Sequence, residues 1–494
     1  MNIELVPVLL PLLLLTGAAL AALVGIWSPL GSRVVSVLSI GSVLILSVVG
    51  LAAALDGDPI RHELGGWAPP IGVEYVLDPL AGFISVLIAS IGFLVVIYPS
   101  KPGFGVVVTK GVPLYPLVLL LLGGLQGVAM TGDLFHMFVF LEIYAIASYA
   151  LVALGGPRAT LASLRYLVFG TIGSGFYLLG VGFLYFMTGS LNMADVAERI
   201  APQLGNETVI AALVLIVAGL AIKMALFPLH IWLPEAHSYA PPGVAALLAA
   251  VQVKVAAYAL IRIMFGVFGI EMVSVDLPVA DLLVWFSAAG ILFGSILAIA
   301  QRDFKRMLAY STIAQLGYIG VGIGLANPLA LVGALLHVVN HAVMKSCLFL
   351  IAGGIYERTG LKDIPSLAGI ARRMPITGVA FVIAALSMIG VPPTAGFFSK
   401  WYLLQGALEG DRILVAVVIA ASSLLTLWYF LRMFETIYST TDDVHPKVAE
   451  AREAGPAVLG PVLVLAVGVL VIGLVNASLV TDVVEPALAV FGFG

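Results

Sequence analysis

The sequence predicts an all-α integral membrane protein with about 14 transmembrane helices, and three observations support this fold class. Hydrophobic residues make up 61% of the 494 residues and charged residues only 10%. The mean hydropathy is +1.14, well above that of a soluble globular domain. Apolar runs of the ~20 residues that a membrane-crossing helix needs recur along the chain. Lysine and arginine residues are concentrated in every second loop between these runs.

The apolar runs place the predicted spans. The polar stretches between them are too short to form a separate soluble domain. At the C-terminus, residues 479–493 include Asp482, Glu485 and Pro486, so we expect a capping turn or a partly inserted piece there and not a fifteenth span. The 14 spans are predicted near 4–26, 33–54, 78–98, 113–130, 133–154, 160–187, 208–238, 241–267, 278–300, 304–323, 328–354, 373–408, 411–437 and 456–476.

The distribution of lysine and arginine predicts the orientation. If the N-terminus lies outside, the loops after odd-numbered spans face the cytoplasm, and these loops carry 13 basic residues against four in the remaining loops. Cytoplasmic loops are generally the richer in lysine and arginine, so this asymmetry predicts an external N-terminus. The 13 residues are Arg33, Lys101, Lys110, Arg158, Arg302, Lys305, Arg306, Arg358, Lys362, Arg372, Arg373, Lys447 and Arg452.

Six other basic residues lie within the predicted spans, where a charge costs on the order of 2.5–3.5 kcal/mol at the helix centre. Two lie near helix ends, where snorkelling of a long side chain to the headgroups explains them, with a transport role as the alternative. Three lie about ten residues from a span boundary, so they indicate either a transport function or a buried structural ion pair. The two residues near helix ends are Arg165 and Arg432, and the three deeper ones are Lys223, Lys254 and Lys345. The sixth is Lys400.

Prolines interrupt two spans. Pro228 lies in the seventh span, and Pro392, Pro393 and Gly396 interrupt the twelfth. Proline removes a backbone donor and clashes with the preceding turn, and a broken helix at membrane depth is tolerated where it is buried in protein or lines a wet cavity. A simple kink remains the alternative at Pro228, whereas the double proline predicts a true break and polar space inside the bundle.

The two interruptions also indicate an internal repeat. Pro228 and Pro392 are 164 residues apart, and the fourth and ninth spans start 165 residues apart, at 113 and 278. Each copy would contain five spans, spans four to eight and nine to thirteen, so the copies enter the membrane from opposite sides and the repeat is inverted. The predicted parts are an N-terminal group of three helices at 1–112, a first repeat at 113–267, a second repeat at 278–437, and a C-terminal helix and tail at 456–494.

Acidic and histidine side chains suggest a route for protons. Glu142 is a carboxylate well inside an otherwise apolar span, so it needs a nearby cation or a proton of its own; a mobile contact with a lysine would couple the proton affinities of the two groups. In the eleventh span His337, His341 and Lys345 are spaced four residues apart and form one stripe on a helix. Such a stripe is typical of a proton wire, although interhelical hydrogen bonding is the alternative. His230 follows the break in the seventh span and either links the two halves or acts as a structural cap.

Several other chemistries have no counterpart in the sequence. It contains no glycine-rich phosphate loop and no CxxC pair, and its lone cysteine, Cys347, lies in an apolar run. The net charge of -4 gives no indication of nucleic-acid binding. We therefore expect no cofactor, no metal site and no catalytic chemistry in this chain, and any redox group would be held by partner subunits.

Five segments of the sequence resemble a known family. They are "GDLFHMFVFLEIYAIASYAL", "AIKMALFPLHIWLPEAHSYAPPGVAALLAAVQVKVAAYAL", "RMLAYSTIAQLGYI", "HVVNHAVMKSCLFLIAGGI" and "GVPPTAGFFSKW", between about residues 75 and 435. They are similar to the signature segments of the antiporter-like subunits of respiratory complex I, Mrp-type Na+/H+ antiporters and group 4 membrane-bound hydrogenases. Within this family the chain looks most similar to the D-type subunits of Mrp antiporters.

The resemblance implies roles for the charged residues. It implies that Glu142 and Lys223 are the charged pair of one half-channel, that Lys254 is the lysine of the central axis, and that Lys400 belongs to the other half-channel. It further implies a connecting role for His230, His337, His341 and Lys345. On the inverted repeat we expect Lys400 to be the counterpart of the Lys223 region. His136 departs from the asparagine expected at its position in the D-type subunits.

Three functions remain open at this point. The first is a proton-translocating subunit of a multisubunit Na+/H+ antiporter in the plasma membrane of a prokaryote, with other membrane subunits as partners. The second is the same subunit type in a redox-driven complex. The third is a passive carrier or membrane scaffold, against which the intramembrane Lys, Glu and His residues argue.

Overall fold

The computed structural model describes residues 3–98, 114–440 and 444–492 and is almost entirely helical; Lys101 and Lys110 lie outside the described residues. A single two-stranded hairpin is present in the described part of the chain. The helices are α1 (Val6–Trp27), α2 (Pro29–Asp56), α3 (Pro79–Ile97), α4 (Leu114–Met130), α5 (Leu134–Ala153), α6 (Pro157–Thr188), α7 (Met193–Ile200), α8 (Glu207–Met224), α9 (Leu233–Tyr239), α10 (Pro242–Leu247), α11 (Val253–Gly266), α12 (Val279–Ile299), α13 (Phe304–Leu325), α14 (Pro328–Thr359), α15 (Ile370–Arg373), α16 (Pro375–Ile389), α17 (Ala395–Glu409), α18 (Ile413–Ile437), α19 (Pro446–Ala449), α20 (Pro456–Leu474), α21 (Asn476–Leu479) and α22 (Glu485–Ala489), and the strands are β1 (Ile60–Glu63) and β2 (Glu74–Leu77).

The predicted membrane-spanning architecture is confirmed. Within the described residues, 12 helices are long and apolar enough to cross a membrane, counting α10 and α11 as one. The two remaining predicted spans are the apolar helix α4, of 17 residues, and the half-helices α16 and α17, of 15 residues each. Each of the 14 predicted spans therefore corresponds to one helix or to a pair of half-helices.

The helices differ in how far they are buried. The α10–α11 segment is wholly enclosed by other helices and α13 and α14 are nearly so, whereas α1, α2 and α6 present most of their surface outward. Long apolar side chains such as Leu23, Leu38 and Phe186 cover these outer faces, as expected for helices in contact with lipid or other membrane subunits. The most enclosed helices carry four of the intramembrane basic residues: Lys254 on α11, and His337, His341 and Lys345 on α14.

Five helices in each half of the bundle correspond in order. In the first half they are α4, α5, α6, the pair α8/α9 and α10–α11; in the second they are α12, α13, α14, the pair α16/α17 and α18. Helices α6 and α14 are both 32 residues long, both begin with proline, and both end at a glycine in the left-handed conformation, Gly189 and Gly360. These matches support the inverted five-helix repeat.

The loops preserve the same correspondence. Asp133 caps α5 by accepting a hydrogen bond from the His136 amide at 2.6 Å, and Asp303 caps α13 by accepting one from the Arg306 amide at 2.9 Å. Each aspartate also forms an isolated antiparallel bridge to a later loop. Asp133 pairs with Asn192 in the loop after α6, and Asp303 pairs with Asp363 in the loop after α14. Because five spans separate the two aspartates, the two capped loops lie at opposite ends of the bundle.

The hairpin marks the end of the bundle that also holds α7. Strands β1 and β2 pair antiparallel, and Tyr75 of β2 bridges to Thr131 in the short loop before α5. Glu74 accepts a hydrogen bond from the Asn192 side chain at 2.7 Å. We call this the hairpin end, and we call the opposite end, with the loops at 240–241, 300–303 and 360–374, the loop end.

Both predicted helix breaks are present. Residues 225–232 separate α8 from α9, and residues 390–394 separate α16 from α17. The last described residues form short helical turns that pack against α3 and α14, which agrees with the expected capping segment.

Candidate functional site

The structure brings Glu142 of α5 and Lys223 of α8 together inside the bundle. The lysine Nζ lies 3.4 Å from Oε1 of Glu142, with 3% of the lysine side chain and 27% of the glutamate side chain exposed. The Ser174 hydroxyl donates to the same carboxylate oxygen. A separation of 3.4 Å is longer than the 2.7–2.9 Å of a strong charge-assisted hydrogen bond, so the serine competes with the lysine for this oxygen.

Close packing of α6 on α8 sets this geometry. A side chain at Gly219 would place its Cβ 2.5 Å from the carbonyl oxygen of Gly173, so the two backbones meet at these glycines. Ser174 follows one of them, and Lys223 lies one helical turn beyond the other. The two helices therefore direct the hydroxyl and the amine toward the same carboxylate of α5.

The break after α8 separates two histidines with different surroundings. His230 is half-buried and stacks on Phe227, with ring centroids 5.3 Å apart. His237, on α9, is fully buried, and neither of its ring nitrogens has a hydrogen-bond partner among the described residues. Of the two, His237 is therefore the one enclosed within the bundle.

His237 is the residue that the sequence analysis missed. Its ring centroid lies 6.1 Å from that of Phe349, and the Lys345 amine lies 6.0 Å from the centroid of the same Phe349 ring. The available signal was its place seven residues after His230, on the half-helix beyond the break. In an unbroken helix, residues seven apart lie on the same face. Because the helix is broken here, this spacing does not predict which of the two histidines faces the interior.

Lys254 lies at the centre of the bundle, on the wholly enclosed segment. The segment makes a π-helical turn at Leu248–Gln252, and Lys254 follows it. Its side chain is fully buried, and Nζ donates to the carbonyl of Ala249 within that turn. A π turn disturbs the regular hydrogen bonding of the helix, which is how this carbonyl becomes available to the amine.

The predicted stripe on α14 is fully buried. The rings of His337 and His341 stack with centroids 5.8 Å apart and an interplanar angle of 13°. The Nδ1 atom of His337 lies 2.9 Å from the hydroxyl of Ser399 on α17. One turn beyond His341, the Lys345 amine donates to the Leu308 carbonyl of α13 at 2.7 Å and to the Ser311 hydroxyl.

Lys400 lies just beyond the second break, on α17, and only 6% of the residue is exposed. Its Nζ donates to the carbonyl oxygens of Met388 and Ile389 at 2.9 and 3.0 Å and to the Ser423 hydroxyl at 3.3 Å. These carbonyls end α16, where the break leaves them without helical donors. All hydrogen-bond acceptors of this amine in the described chain are neutral.

Contacts join several of these buried groups in the interior of the bundle. Lys400 lies over the Tyr318 ring at 5.0 Å from its centroid, and that ring lies 5.2 Å from His337. We define the polar row, in order, as Glu142, Lys223, His237, Lys254, Lys345, His341, His337 and Lys400. His230 lies in the first break and is not part of the row as defined.

Two basic residues that were assigned to helix ends have specific partners. Arg165 contacts both carboxylate oxygens of Glu235 at 2.7 Å, and 55% of its side chain is exposed. Arg432 donates to the carbonyls of Ile299 and Gln301 at 2.7 and 2.6 Å. Neither residue contacts the polar row, in keeping with a structural role.

The described residues contain no group of three or more His, Cys, Asp or Glu side chains that could hold a metal ion.

The fold and the polar row define a polytopic membrane protein with charged and titratable groups buried in its interior. The chain belongs to the family described as the NADH:quinone oxidoreductase/Mrp antiporter transmembrane family, which matches residues 131–426.

Similar proteins come from both branches of this family. The chain is 50% identical over 458 residues to the N-type subunit of the NADH-quinone oxidoreductase of Desulforudis audaxviator, covering 90% of this chain and 91% of the relative. It is 34% identical over 410 residues to the D-type subunit of a Na+/H+ antiporter of Alkalihalophilus pseudofirmus, covering 81% and 80%. Among solved structures, the membrane-bound sulfane sulfur reductase, an archaeal respiratory membrane complex, matches with a TM-score of 0.90 and 30% identity over 99% of both chains.

Proposed function

We propose that this chain is the proton-translocating, antiporter-like subunit of a multisubunit Na+/H+ antiporter. The observation that carries the proposal is the polar row, which runs from a Glu–Lys pair through buried histidines and lysines to Lys400. The named Na+/H+ antiporter relative supports it. Buried ionisable groups in a membrane domain are costly, and they commonly mark ion and proton pathways.

The Glu142–Lys223 contact serves as the switch of this pathway. While the amine remains near the carboxylate, both charged forms are stabilised; when the amine moves away, the stabilisation of both is lost and protons redistribute. Ser174 can hold the carboxylate during that separation, since it already donates to Oε1. A small displacement at one end of the row thereby changes the proton occupancy of the groups beside it.

Protons then pass along the row from one titratable group to the next. Histidine can accept on one ring nitrogen and donate from the other, and His237 and His341 both have two ring nitrogens without partners in the described chain. Lys254 connects the halves, and Lys400 forms the far end. Because neutral acceptors hold the Lys400 amine, the loss of its proton leaves no unpaired carboxylate behind.

The chain works within an assembly in a prokaryotic plasma membrane, with its N-terminus outside. The long apolar side chains on the outer faces of α1, α2 and α6 provide surface for lipid and for other membrane subunits. We expect the isolated chain to be inactive. Robust Na+-driven proton flux from the chain reconstituted without partners would contradict this assignment.

A redox-driven complex is the second candidate, and one observation favours it: the 50% identical relative is named as part of an NADH-quinone oxidoreductase. The two candidates differ in the subunits that accompany the chain. Purification of the intact complex followed by iron and sulfide analysis separates them. Iron–sulfur subunits would support the redox complex, and an assembly of membrane subunits without iron would support the antiporter.

The proposed function is tested by Glu142→Gln and Lys223→Ala in the intact complex, reconstituted into vesicles. Each change should abolish gradient-driven proton flux while leaving the complex assembled, because each removes one member of the switch. Glu198→Gln, an exposed carboxylate on α7, is the matched control and should transport normally. Wild-type flux in either row variant would overturn the proposal.

A further inference from the structure

Lys305, at the start of α13, occupies a position that the proposed pathway does not yet include. Its amine donates to the carbonyl of Ala240, in the connection between α9 and α10, three residues beyond His237 on the same segment. The side chain is half-buried. It therefore lies at the loop end of the bundle, bonded to the segment that carries the fully buried histidine.

On its other side Lys305 borders the surface of the protein. The preceding residue, Phe304, donates its amide to the Lys362 carbonyl at 3.0 Å, and both Lys362 and Asp363 in that loop are exposed. Lys305 thus lies between this exposed loop and the segment that carries His237.

The fold itself does not call for a lysine here. The corresponding start of α5 has the same aspartate cap and the same bridge to a later loop, and there the equivalent residue is Phe135, 46% exposed. A capped helix of this kind therefore forms equally well with an apolar residue at this position. The lysine distinguishes the second copy from the first, and it is placed beside the part of the row that has no carboxylate.

We propose that Lys305 is the proton-access residue between the loop end of the bundle and His237. A proton leaves Nζ of Lys305 and is bound by a ring nitrogen of His237, directly or through one water molecule. The neutral amine then takes a proton from the loop surface and returns to the Ala240 carbonyl. This inference rests on the proposed function, since it supplies the row with an entry that the Glu142–Lys223 switch controls.

The test uses a replaceable amine in the intact complex reconstituted into vesicles. In a Cys347→Ala background, Lys305→Cys should lower proton flux by about a hundredfold, the lower end of what a positioned proton-transfer group contributes. Reaction with aminoethyl methanethiosulfonate rebuilds a titratable amine and should restore flux. Reaction with the trimethylammonium reagent adds a fixed positive charge that carries no proton and should not restore it.

A structural role for Lys305 predicts different results. If the amine only neutralises charge or holds the α9–α10 connection, both reagents should restore flux, and that result would overturn the proposal. Wild-type flux in unmodified Lys305→Cys, or no reaction of this cysteine from either side of the membrane, would overturn it as well. Arg306→Cys, the exposed next residue, is the matched control and should transport normally before and after both treatments.

The same vesicles separate the failure of this inference from that of the proposed function. If Glu142→Gln abolishes flux and the Lys305 variants do not, the pathway stands and its access residue lies elsewhere. If Glu142→Gln transports normally, the pathway itself is wrong.

Discussion

The two repeats both hold a lysine amine inside the bundle, but with different partners. In the first, Lys223 ends α8 before the break and contacts the carboxylate of Glu142. In the second, Lys400 follows the break and contacts two backbone carbonyls and the Ser423 hydroxyl. A carboxylate changes charge when it binds a proton, whereas a carbonyl cannot. The inverted repeat therefore supplies a common scaffold, and only the first copy contains a partner whose charge can switch.

This difference corrects one expectation from the sequence. We expected Lys400 to be the counterpart of the Lys223 region, yet the two lysines lie on opposite sides of their respective breaks. The helices and the breaks correspond between the two repeats, but the amines of Lys223 and Lys400 do not lie at corresponding positions. Each lysine is placed by its own helix packing, through Gly219 near Lys223 and through the carbonyl end of α16 near Lys400.

The largest expected effect is at Lys400. Lys400→Ala and Lys400→Arg should each reduce proton flux in vesicles by about a hundredfold or more, the range for a positioned proton-transfer group. Arginine keeps the positive charge but does not release its proton in the accessible pH range. Lys447→Arg, on a short helix at the loop end, is the control. Wild-type flux in Lys400→Arg would show that this residue is a fixed counter-charge, which would remove the contrast with Lys223.

The second prediction compares the two histidines around the first break. His237→Gln should lower flux by about a hundredfold, the lower end of the range for a positioned proton-transfer group, because glutamine preserves polarity but cannot bind and release a proton. His230→Gln, at a half-buried position in the break, should reduce flux less. The measurement is initial proton flux in matched vesicles. Equal losses in both variants would place His230 in the pathway.

A smaller effect is expected from the serines that support the two lysine sites. Ser174→Ala removes the hydroxyl that shares the Glu142 oxygen with Lys223, so we expect a loss of flux of a few fold, corresponding to about 1 kcal/mol for one hydrogen bond. Ser423→Ala should have less effect, because two carbonyls still hold Lys400. Initial proton flux in vesicles is the measurement, and a wild-type rate in Ser174→Ala would show that the hydroxyl takes no part in the switch.

The smallest effect on transport is expected from glycine-to-alanine changes on helices that pack against the breaks. These changes should still lower stability measurably. A Cβ at Gly473 of α20 would lie 2.0 Å from the Pro393 carbonyl oxygen in the second break. Gly473→Ala should therefore destabilise the protein by about 1–3 kcal/mol, the usual cost of overpacking. A Cβ at Gly290 would instead lie 2.9 Å from the Cβ of Phe227, an overlap that a smaller shift relieves, so Gly290→Ala should cost less. Thermal unfolding in detergent compares the two, and equal stability would mean that the second break is not clamped more tightly than the first.

Much of the architecture was predictable because a membrane restricts the choices. The length of each apolar run, the positions of Pro228 and of Pro392 and Pro393, and the four-residue spacing of the α14 stripe all correspond to local features of the chain. They predicted the spans, both breaks and a buried stripe, and the structure has all of them. His237 was missed because its burial depends on how α9 turns after the break, which has no local sequence signal.

By itself, the sequence determined which runs form helices long and apolar enough to cross a membrane, where two of these runs break and which ionisable residues lie within them. These properties follow from hydrophobic length, from the geometry of proline and from the cost of a buried charge, all of which act locally. Only the tertiary structure decided what each ionisable group contacts: Glu142 for Lys223, the carbonyls that end α16 for Lys400, and Ala240 for Lys305. Those contacts join residues on different helices, so they depend on which backbones approach closely and which carbonyls a break leaves free.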